Sequence, residues 1–343
     1  MTPLITILMP VHNGAVYLPE AINSMLRQSL KDFEFLIVDD ASTDPSVAII
    51  QGFKDPRIRL IQSPTRLKLS GALNLGLDNA KGRYVARMDA DDISLPRRLE
   101  IQAQFMEQHP EIGLCGTWIR YFGGSSHAIL KRPLHHAEIQ AFALLDTPFA
   151  HPSVMMRRDM MEQHQLRFNG DFFPTEDFEL WIRAIRAFPT ANLPQILLRY
   201  RIHGKSLTGA DWSTMDEQAI RVVQTQLQFL ALTPSADELR FHRQLAMGRL
   251  NMTTALLDQA ENWLTRLIEA NQSSGTFDPT AMESILGDIW FRTCMHSAKL
   301  GFWVATRYHH SWLGTHHKHR TQHEWLMRLA AFKAKVSPSC ENK

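Results

Sequence analysis

Along the first 120 residues the hydrophobic pattern switches repeatedly between two periods. Ile5-Thr6-Ile7-Leu8-Met9 is a short β-rich run ending at Pro10, and Val16, Leu18, Ala21, Ile22, Met25 and Leu26 follow at helical spacing. Phe33 to Val38 is a second apolar run, closed by Asp39-Asp40. Pro45 to Phe53 and Ser70 to Asn79 read as helices. Ile58 to Ile61 and Arg83 to Met88 read as strands three and four, the latter stopped by Asp89-Ala90-Asp91-Asp92. Pro96 fits the first position of a helix running to about His109, and Ile112 to Trp118 is a fifth strand. Strands alternating with helices predict βαβ units: an α/β, Rossmann-like, mainly parallel sheet flanked by helices.

Beyond Gly123-Gly124 the pattern loosens. A helix is expected from near Ala137, another capped by Thr175 and running through Phe188, and a strand from Ile196 to Ile202. From about Asp211 onward Leu, Met and Trp recur at three- and four-residue spacings, in segments near 215–232, 236–250, 252–271, 280–300 and 302–334. This is an all-α C-terminal region without a clean repeat signature. The predicted organisation is two domains, 1–210 and 211–343, cut near Gly209.

Composition narrows the class. Apolar residues are 44% and charged residues 21% of 343, an ordinary globular balance. Lys plus Arg is 37 against 35 Asp plus Glu, which excludes a nucleic-acid partner read from charge. The charge is uneven, however: residues 300–343 hold seven Lys/Arg against two Asp/Glu. Trp303, Tyr308, Trp312 and Trp325 are interleaved there with His309, His310, His316, His317, His319 and His323. The segment suits a solvated basic face, peripheral docking on an anionic membrane surface, or self-association into a homo-oligomer. A zinc site on His316, His319 and His323 has no nearby cysteine to complete it. Cys115, Cys294 and Cys340 are odd in number and scattered, so no disulfide framework is expected and a reducing cytoplasm is the expected setting. The N-terminus lacks a signal-type segment, and no run of 18 apolar residues could span a membrane.

In an open α/β sheet, ligands bind beyond the carboxyl ends of the strands. Two acidic clusters fall at such ends, Asp39-Asp40 and Asp89-Ala90-Asp91-Asp92. Carboxylates crowded there repel one another, and Mg²⁺ or Mn²⁺ relieves that repulsion while keeping places for phosphate oxygens. The competing reading is that these acids merely end strands and cap the next helix. After strand one the chain reads Pro10-Val11-His12-Asn13-Gly14, with neither GxGxxG nor GxxxxGK[ST]. A bound nucleotide would therefore be held by carboxylates and metal rather than by a glycine-rich loop.

Six segments in order carry a resemblance: Ile7 to Gly14, Leu36 to Asp44, Ala72-Leu73-Asn74-Leu75-Gly76, Ala86 to Pro96, Thr175 to Trp181, and Tyr200-Arg201-Ile202-His203-Gly204. Together they resemble family 2 inverting glycosyltransferases of the GT-A fold, of the bacterial envelope polysaccharide type, over about residues 4–208. The resemblance implies a nucleotide-diphosphate sugar donor, most often a UDP-sugar, and Mn²⁺ or Mg²⁺ as cofactor. It places Pro10, Val11, His12 and Asn13 along the nucleotide, with Asp39 and Asp40 at the base. Asp89 is placed at the ribose and diphosphate, Asn74 and Ala90 among the nucleotide-sugar-binding residues, and Asp91, with Asp89 and His203, on the metal. Where the family commonly has Asn-x-Gly, this chain has Arg66-Leu67-Lys68. Arg66 and Lys68 either add positive charge at the diphosphate or are solvated loop residues. Asp177 would be the general base that takes the acceptor hydroxyl proton, with Glu176 beside it; both also suit the first turn of a helix. His151 either lines an acceptor cleft or is a loop histidine.

The function this implies is transfer of a hexose or N-acetylhexosamine to a saccharide or lipid-linked acceptor, at the inner face of the cytoplasmic membrane. Two other readings stay open. A sugar-1-phosphate nucleotidyltransferase would want a glycine-rich basic loop after strand one, which is absent. A non-catalytic nucleotide-binding scaffold would have no need of Asp91 and Asp177.

Overall fold

Strand β1 (Ile5–Val11) is buried at every position, as its run of branched and long apolar side chains requires of a central strand. It pairs in parallel with β2 (Phe33–Asp40) on one side and β4 (Tyr84–Arg87) on the other, and β2 pairs with β3 (Ile58–Ser63) at the edge. The computed structural model describes residues 2–124, 126–204, 212–315 and 326. The predicted cut at Gly209 and the tail residues His316, His317, His319, His323 and Trp325 lie outside them.

Helices α1 (Leu18–Leu26), α2 (Ser46–Gly52) and α3 (Lys68–Asn79) fill the crossovers between these strands, and α4 (Arg98–Gln108) follows them. In α1, Leu18, Ala21, Ile22 and Met25 are buried, a stripe at the helical period. Pro96 stands two residues before α4 rather than inside it. Ile93–Ser94 intervene as a short strand, β5, which carries the chain back to the sheet first.

The second half of the sheet is mixed. Strands β6 (Leu114–Phe122), β7 (Ile129–Leu130), β8 (Met155–Arg157) and β9 (Thr190–Arg201) complete the order β3-β2-β1-β4-β8-β6-β9-β5, with β7 on β6. β8 runs antiparallel to both β4 and β6, and β5 antiparallel to β9. The long pairings, including β6 with β9, are parallel. β9 begins at Thr190, not near Ile196, because Pro194 and Gln195 bulge out of the ladder between Leu193 and Ile196. Proline has no N–H to contribute there, so the bulge is where it can be accommodated. Helices α5 (His136–Phe142), α6 (Arg158–Gln163) and α7 (Glu176–Ala187) complete this part.

The chain divides into two compact units, 1–139 with 147–219, and 140–146 with 220–343. The second is helical: α8 (Trp212–Phe229, which begins in the first unit), α9 (Ala236–Met247), α10 (Thr254–Ser274), α11 (Pro279–His296), α12 (Trp303–His310) and α13 (Trp312–Thr315). The helix expected from 302 onward breaks at Ser311, whose hydroxyl accepts from Trp290 Nε1 at 2.7 Å and from the Gly314 N–H at 3.1 Å. Ser235 and Glu238 form a capping box at α9, and Gly248 ends that helix at φ +65°. Among the described residues no helix is long and apolar enough to cross a membrane.

Candidate active site

The site opens where β1 outruns its neighbour. Leu8 accepts from the Met88 N–H at 3.0 Å, the last bond joining β1 to the β4 side. Pro10, two residues on, faces the same edge and has no N–H to extend the ladder. β4 diverges, and the loops after β1, β2 and β4 surround the gap. His12 Nδ1 lies 2.8 Å from the Asp40 carbonyl, while an added Cβ on Gly14 would come within 3.5 Å of Ala90 Cβ. The β1 loop therefore touches both acidic clusters.

On the β2 side Asp39 and Asp40 are buried. Asp40 is fully engaged: its carboxylate pairs with Arg66 and accepts the Leu67 N–H at 2.5 Å. Asp39 accepts the Ser42 N–H at 3.2 Å through Oδ2, while its buried Oδ1 has no partner. Asn13 Oδ1 accepts the N–H groups of Thr43 and Asp44, fastening the two loops together. Asn13, Ala41 and Lys68 all have positive φ, of 52°, 53° and 61°. Left-handed backbone at non-glycine residues costs about 1 kcal/mol or more each and concentrates at functional sites. Lys68, exposed, thus keeps the left-handed turn that glycine would make more easily. Asn74 points elsewhere: its amide exchanges two 2.8 Å bonds with the backbone of Phe168, tying α3 to that loop.

After β4, Asp89, Asp91 and Asp92 can each present an oxygen within 4.8 Å of the others. Burial and neighbouring charge shift two of them. Burial raises the Asp89 carboxyl against the pull of Arg87, and Asp92 is driven well above the usual range by burial and then by Asp89 and Asp91. Asp92 Oδ2 is buried without a partner. A hard divalent cation fits such a set: oxygen donors only, mutually repelling, with an orphaned oxygen. His203 Nε2 is 2.9 Å from Asp91 Oδ2, which brings the predicted third ligand to the same group. Arg201 fixes the turn by giving its N–H to Asp92 Oδ1 at 2.8 Å and Nε–H to the Asp91 carbonyl at 2.7 Å. Its guanidinium lies over Tyr17 and pairs with Glu20.

The third group is joined to the second by Arg87. This arginine is 2% exposed, pairs with Asp89, and lies within the field of Asp92 and Asp177. At the start of α7, Glu176 is buried and Asp177 partly open. Burial, and then Asp177, push the Glu176 carboxyl up to about 7, and its Oε2 is unpartnered. Thr175 occupies the N-cap position but turns its hydroxyl to the Phe172 carbonyl at 3.0 Å, so it does not cap the helix as expected. His151 Nδ1 stands 3.8 Å from Asp177 Oδ2, its ring packed against Phe168 and Trp181. Burial, then Arg87, hold this imidazole well below its usual pKa. It is a largely buried neutral group beside Asp177, and its Nε2 has no partner, so it is not a loop histidine with both nitrogens satisfied.

Arg87 and Arg201 are the residues to which motif reading gives no role, with Asp92 read only as a member of its acidic cluster. Arg87 carried one signal, a charge at the last position of an apolar strand. The roles of Asp92 and Arg201 depend on a contact more than 100 residues away in sequence.

This is an open α/β sheet with acidic groups gathered at its carboxyl edge, the place where such sheets bind their ligands. The sequence model for glycosyl transferase family 2 matches residues 6–165. The O-antigen biosynthesis glycosyltransferase WbnJ of Escherichia coli is 34% identical over 213 residues, 59% of this chain and 81% of that protein. The amylovoran biosynthesis glycosyltransferase AmsE of Erwinia amylovora is 35% identical over 193 residues, 54% of this chain and 70% of that one. The chain belongs to glycosyl transferase family 2. Its fold is that of S. aureus TarS 1-349 in complex with UDP-GlcNAc, with TM-score 0.57 and 16% identity over 97% of this chain and 91% of that one. The mannosyltransferase PcManGT from Pyrobaculum calidifontis, in complex with GDP-Man and Mn2+, matches with TM-score 0.52 and 15% identity over 98% of this chain and 88% of that one. The GT-A fold and the helical C-terminal region are thereby shared.

Proposed function

We propose that the protein is a metal-dependent inverting glycosyltransferase that moves a hexose or N-acetylhexosamine from a nucleotide-diphosphate sugar to a saccharide or lipid-linked acceptor. The observation that carries this is the convergence of the Asp89-Asp91-Asp92 cluster and the Glu176-Asp177 pair on one buried guanidinium, Arg87. Asp39, Asp40 and the Pro10 to Asn13 segment bind the nucleotide. Asp91, Asp89 and Asp92, with His203, hold Mn²⁺ or Mg²⁺. When bound, the cation supplies positive charge at the departing diphosphate.

Asp177 takes the acceptor hydroxyl proton as that oxygen attacks the anomeric carbon, and the bond from that carbon to the diphosphate oxygen breaks. Attack from the face opposite the leaving group inverts the centre. A positioned base contributes about 10²–10⁴-fold. His151 and the buried Glu176 flank Asp177, with His151 Nδ1 3.8 Å from its carboxylate. A UDP-sugar is the favoured donor, supported by the family resemblance and by the UDP-GlcNAc complex of the TarS neighbour. The O-antigen and amylovoran relatives support envelope polysaccharide as the product. The basic tail supports work at the inner membrane face.

Calorimetry with UDP and GDP, with Mn²⁺ or with chelator, is the test, followed by turnover on matched sugar donors. Tight Mn²⁺-dependent UDP binding is expected. Equal affinity with chelator refutes the metal assignment, and nucleotide binding without any sugar transfer or donor hydrolysis refutes the enzyme.

A further inference from the structure

The far end of the sheet carries charges that the donor site does not use. In the parallel pairing of β6 with β9, Arg120 lies directly opposite Arg199 and Phe122 opposite Arg201. Ile119 and Leu198 point into the apolar core, with Tyr121 and Tyr200 packed against it. Alternation then sends Arg120, Phe122, Arg199 and Arg201 to the other face.

On that face Phe122 is sandwiched, with the Arg199 and Arg201 guanidinium carbons each 4.4 Å from its ring centroid. Arg201 has its carboxylate, Glu20. Among the described residues, no carboxylate lies within ion-pair distance of Arg120 or Arg199. Two exposed like charges placed directly across a strand pair repel and destabilise it unless an anion sits between them. Arg120 and Arg199 line an open pocket of about 640 Å³ together with Leu95, Phe122, His127, Ile196 and part of Tyr121. Planar guanidinium groups bind phosphate and carboxylate oxygens in pairs, and the aromatic and aliphatic wall suits the ring or chain that bears them.

We propose that this cavity, between Arg120 and Arg199, is a binding site for an oxyanion carried by the acceptor. The inference rests on the donor reading above in one respect, the assignment of sides. Asp39 and Asp40 end β2, near one edge of the sheet, whereas this cavity lies on β6, β9 and β5 at the other. Arg201 connects them, since it stacks on Phe122 while bonding the backbone of Asp91. An anion here is therefore beside the diphosphate region but beyond the donor. Two sources offer the same chemistry: the diphosphate of a lipid-linked acceptor and the carboxylate of an acidic sugar.

The test uses the full chain saturated with UDP and Mn²⁺, titrated separately with farnesyl diphosphate, glucuronate and an uncharged hexose. Wild type should bind one of the two anions, which identifies the source, and bind the hexose at least tenfold more weakly. Arg120→Gln with Arg199→Gln should weaken the anion at least tenfold, leave UDP affinity unchanged, and leave the melting temperature equal or higher because a repulsive pair is gone. Arg27→Gln with Lys54→Gln removes the same charge elsewhere and should change nothing. Anion affinity unaltered in the Arg120/Arg199 variant, or reduced equally in the control variant, overturns the proposal, as does binding of neither anion. Failure of UDP to bind overturns the donor reading instead, and the anion comparison still decides this one.

Discussion

The two units treat buried polarity in opposite ways. In the helical unit no buried side-chain nitrogen or oxygen lacks a partner among the described residues. His242 is the clearest case. It is buried, burial drives its pKa down to about 4, and it is paired at both ring nitrogens, with Trp263 Nε1–H at 2.9 Å and the Leu144 carbonyl at 2.8 Å. Asn271 likewise exchanges two bonds with the backbone of Phe277. Every unpartnered buried atom among them falls in the sheet unit; Asp39 Oδ1, Asp92 Oδ2, His151 Nε2 and Glu176 Oε2 are at the candidate site, while others, Ser70 Oγ and Asn192 Oδ1 among them, are outside it. Each such atom costs about 1–3 kcal/mol. A region that only has to stay folded satisfies its polar groups; a region that has to meet a charged ligand holds them in reserve.

This contrast can be broken or sharpened, and the largest effect should come from the base. Asp177→Asn is expected to lower transfer by about 10²-fold or more while UDP affinity and melting temperature barely move. Glu176→Gln is the control, and transfer within a few-fold of wild type in folded Asp177→Asn would move the base assignment to Glu176. Trp290→Ala, in the helical unit, should do the reverse. It removes a fully buried ring and the Ser311 bond, costing about 3–5 kcal/mol in denaturant unfolding of that unit, with no change in UDP affinity.

A third effect is pH dependence. The Glu176 carboxyl titrates near 7 in the folded chain against an ordinary 4.5, so folding favours its protonated form. That contribution is whole below about pH 4.5 and is lost as pH rises through 7, up to about 3 kcal/mol across the window. Glu176→Gln should flatten this slope in pH-dependent melting; an unchanged slope would assign it to other groups. Smaller still is the metal effect. Mn²⁺ at 100 times its dissociation constant should stabilise metal-free protein by about 2.7 kcal/mol. Asp92→Asn should raise the melting point of the metal-free protein, by relieving repulsion, and abolish most of the Mn²⁺ shift in thermal unfolding.

Much of the fold is visible in the hydrophobic pattern. β1, β2 and β4 are continuous apolar runs because they lie inside the sheet, and proline or aspartate marks where each stops. The strands β5, β7 and β8 are two or three residues long, too short to display a period, and exist through partners distant in sequence. The acidic clusters are legible as strand ends for the same reason. What pattern cannot give is which charges are buried together. Arg87, Glu176 and His151 are about 25 to 90 positions apart in the chain, and nothing local to any one of them announces the other two. Asn74 is the converse case, a motif residue whose amide is already committed to Phe168.

Residues 140–146 also set an order of events during synthesis. Leu144 and Leu145 are buried and belong to the helical unit, but they emerge well before most of it. His242, which binds the Leu144 carbonyl, follows 98 residues later. At about 5–20 residues per second, that interval is on the order of 5–20 s. During it the translation of the sheet unit is completed while this seven-residue segment still waits for its helices. A ribosome that stalls after β9 would thus present an apolar segment to chaperones from an otherwise finished sheet.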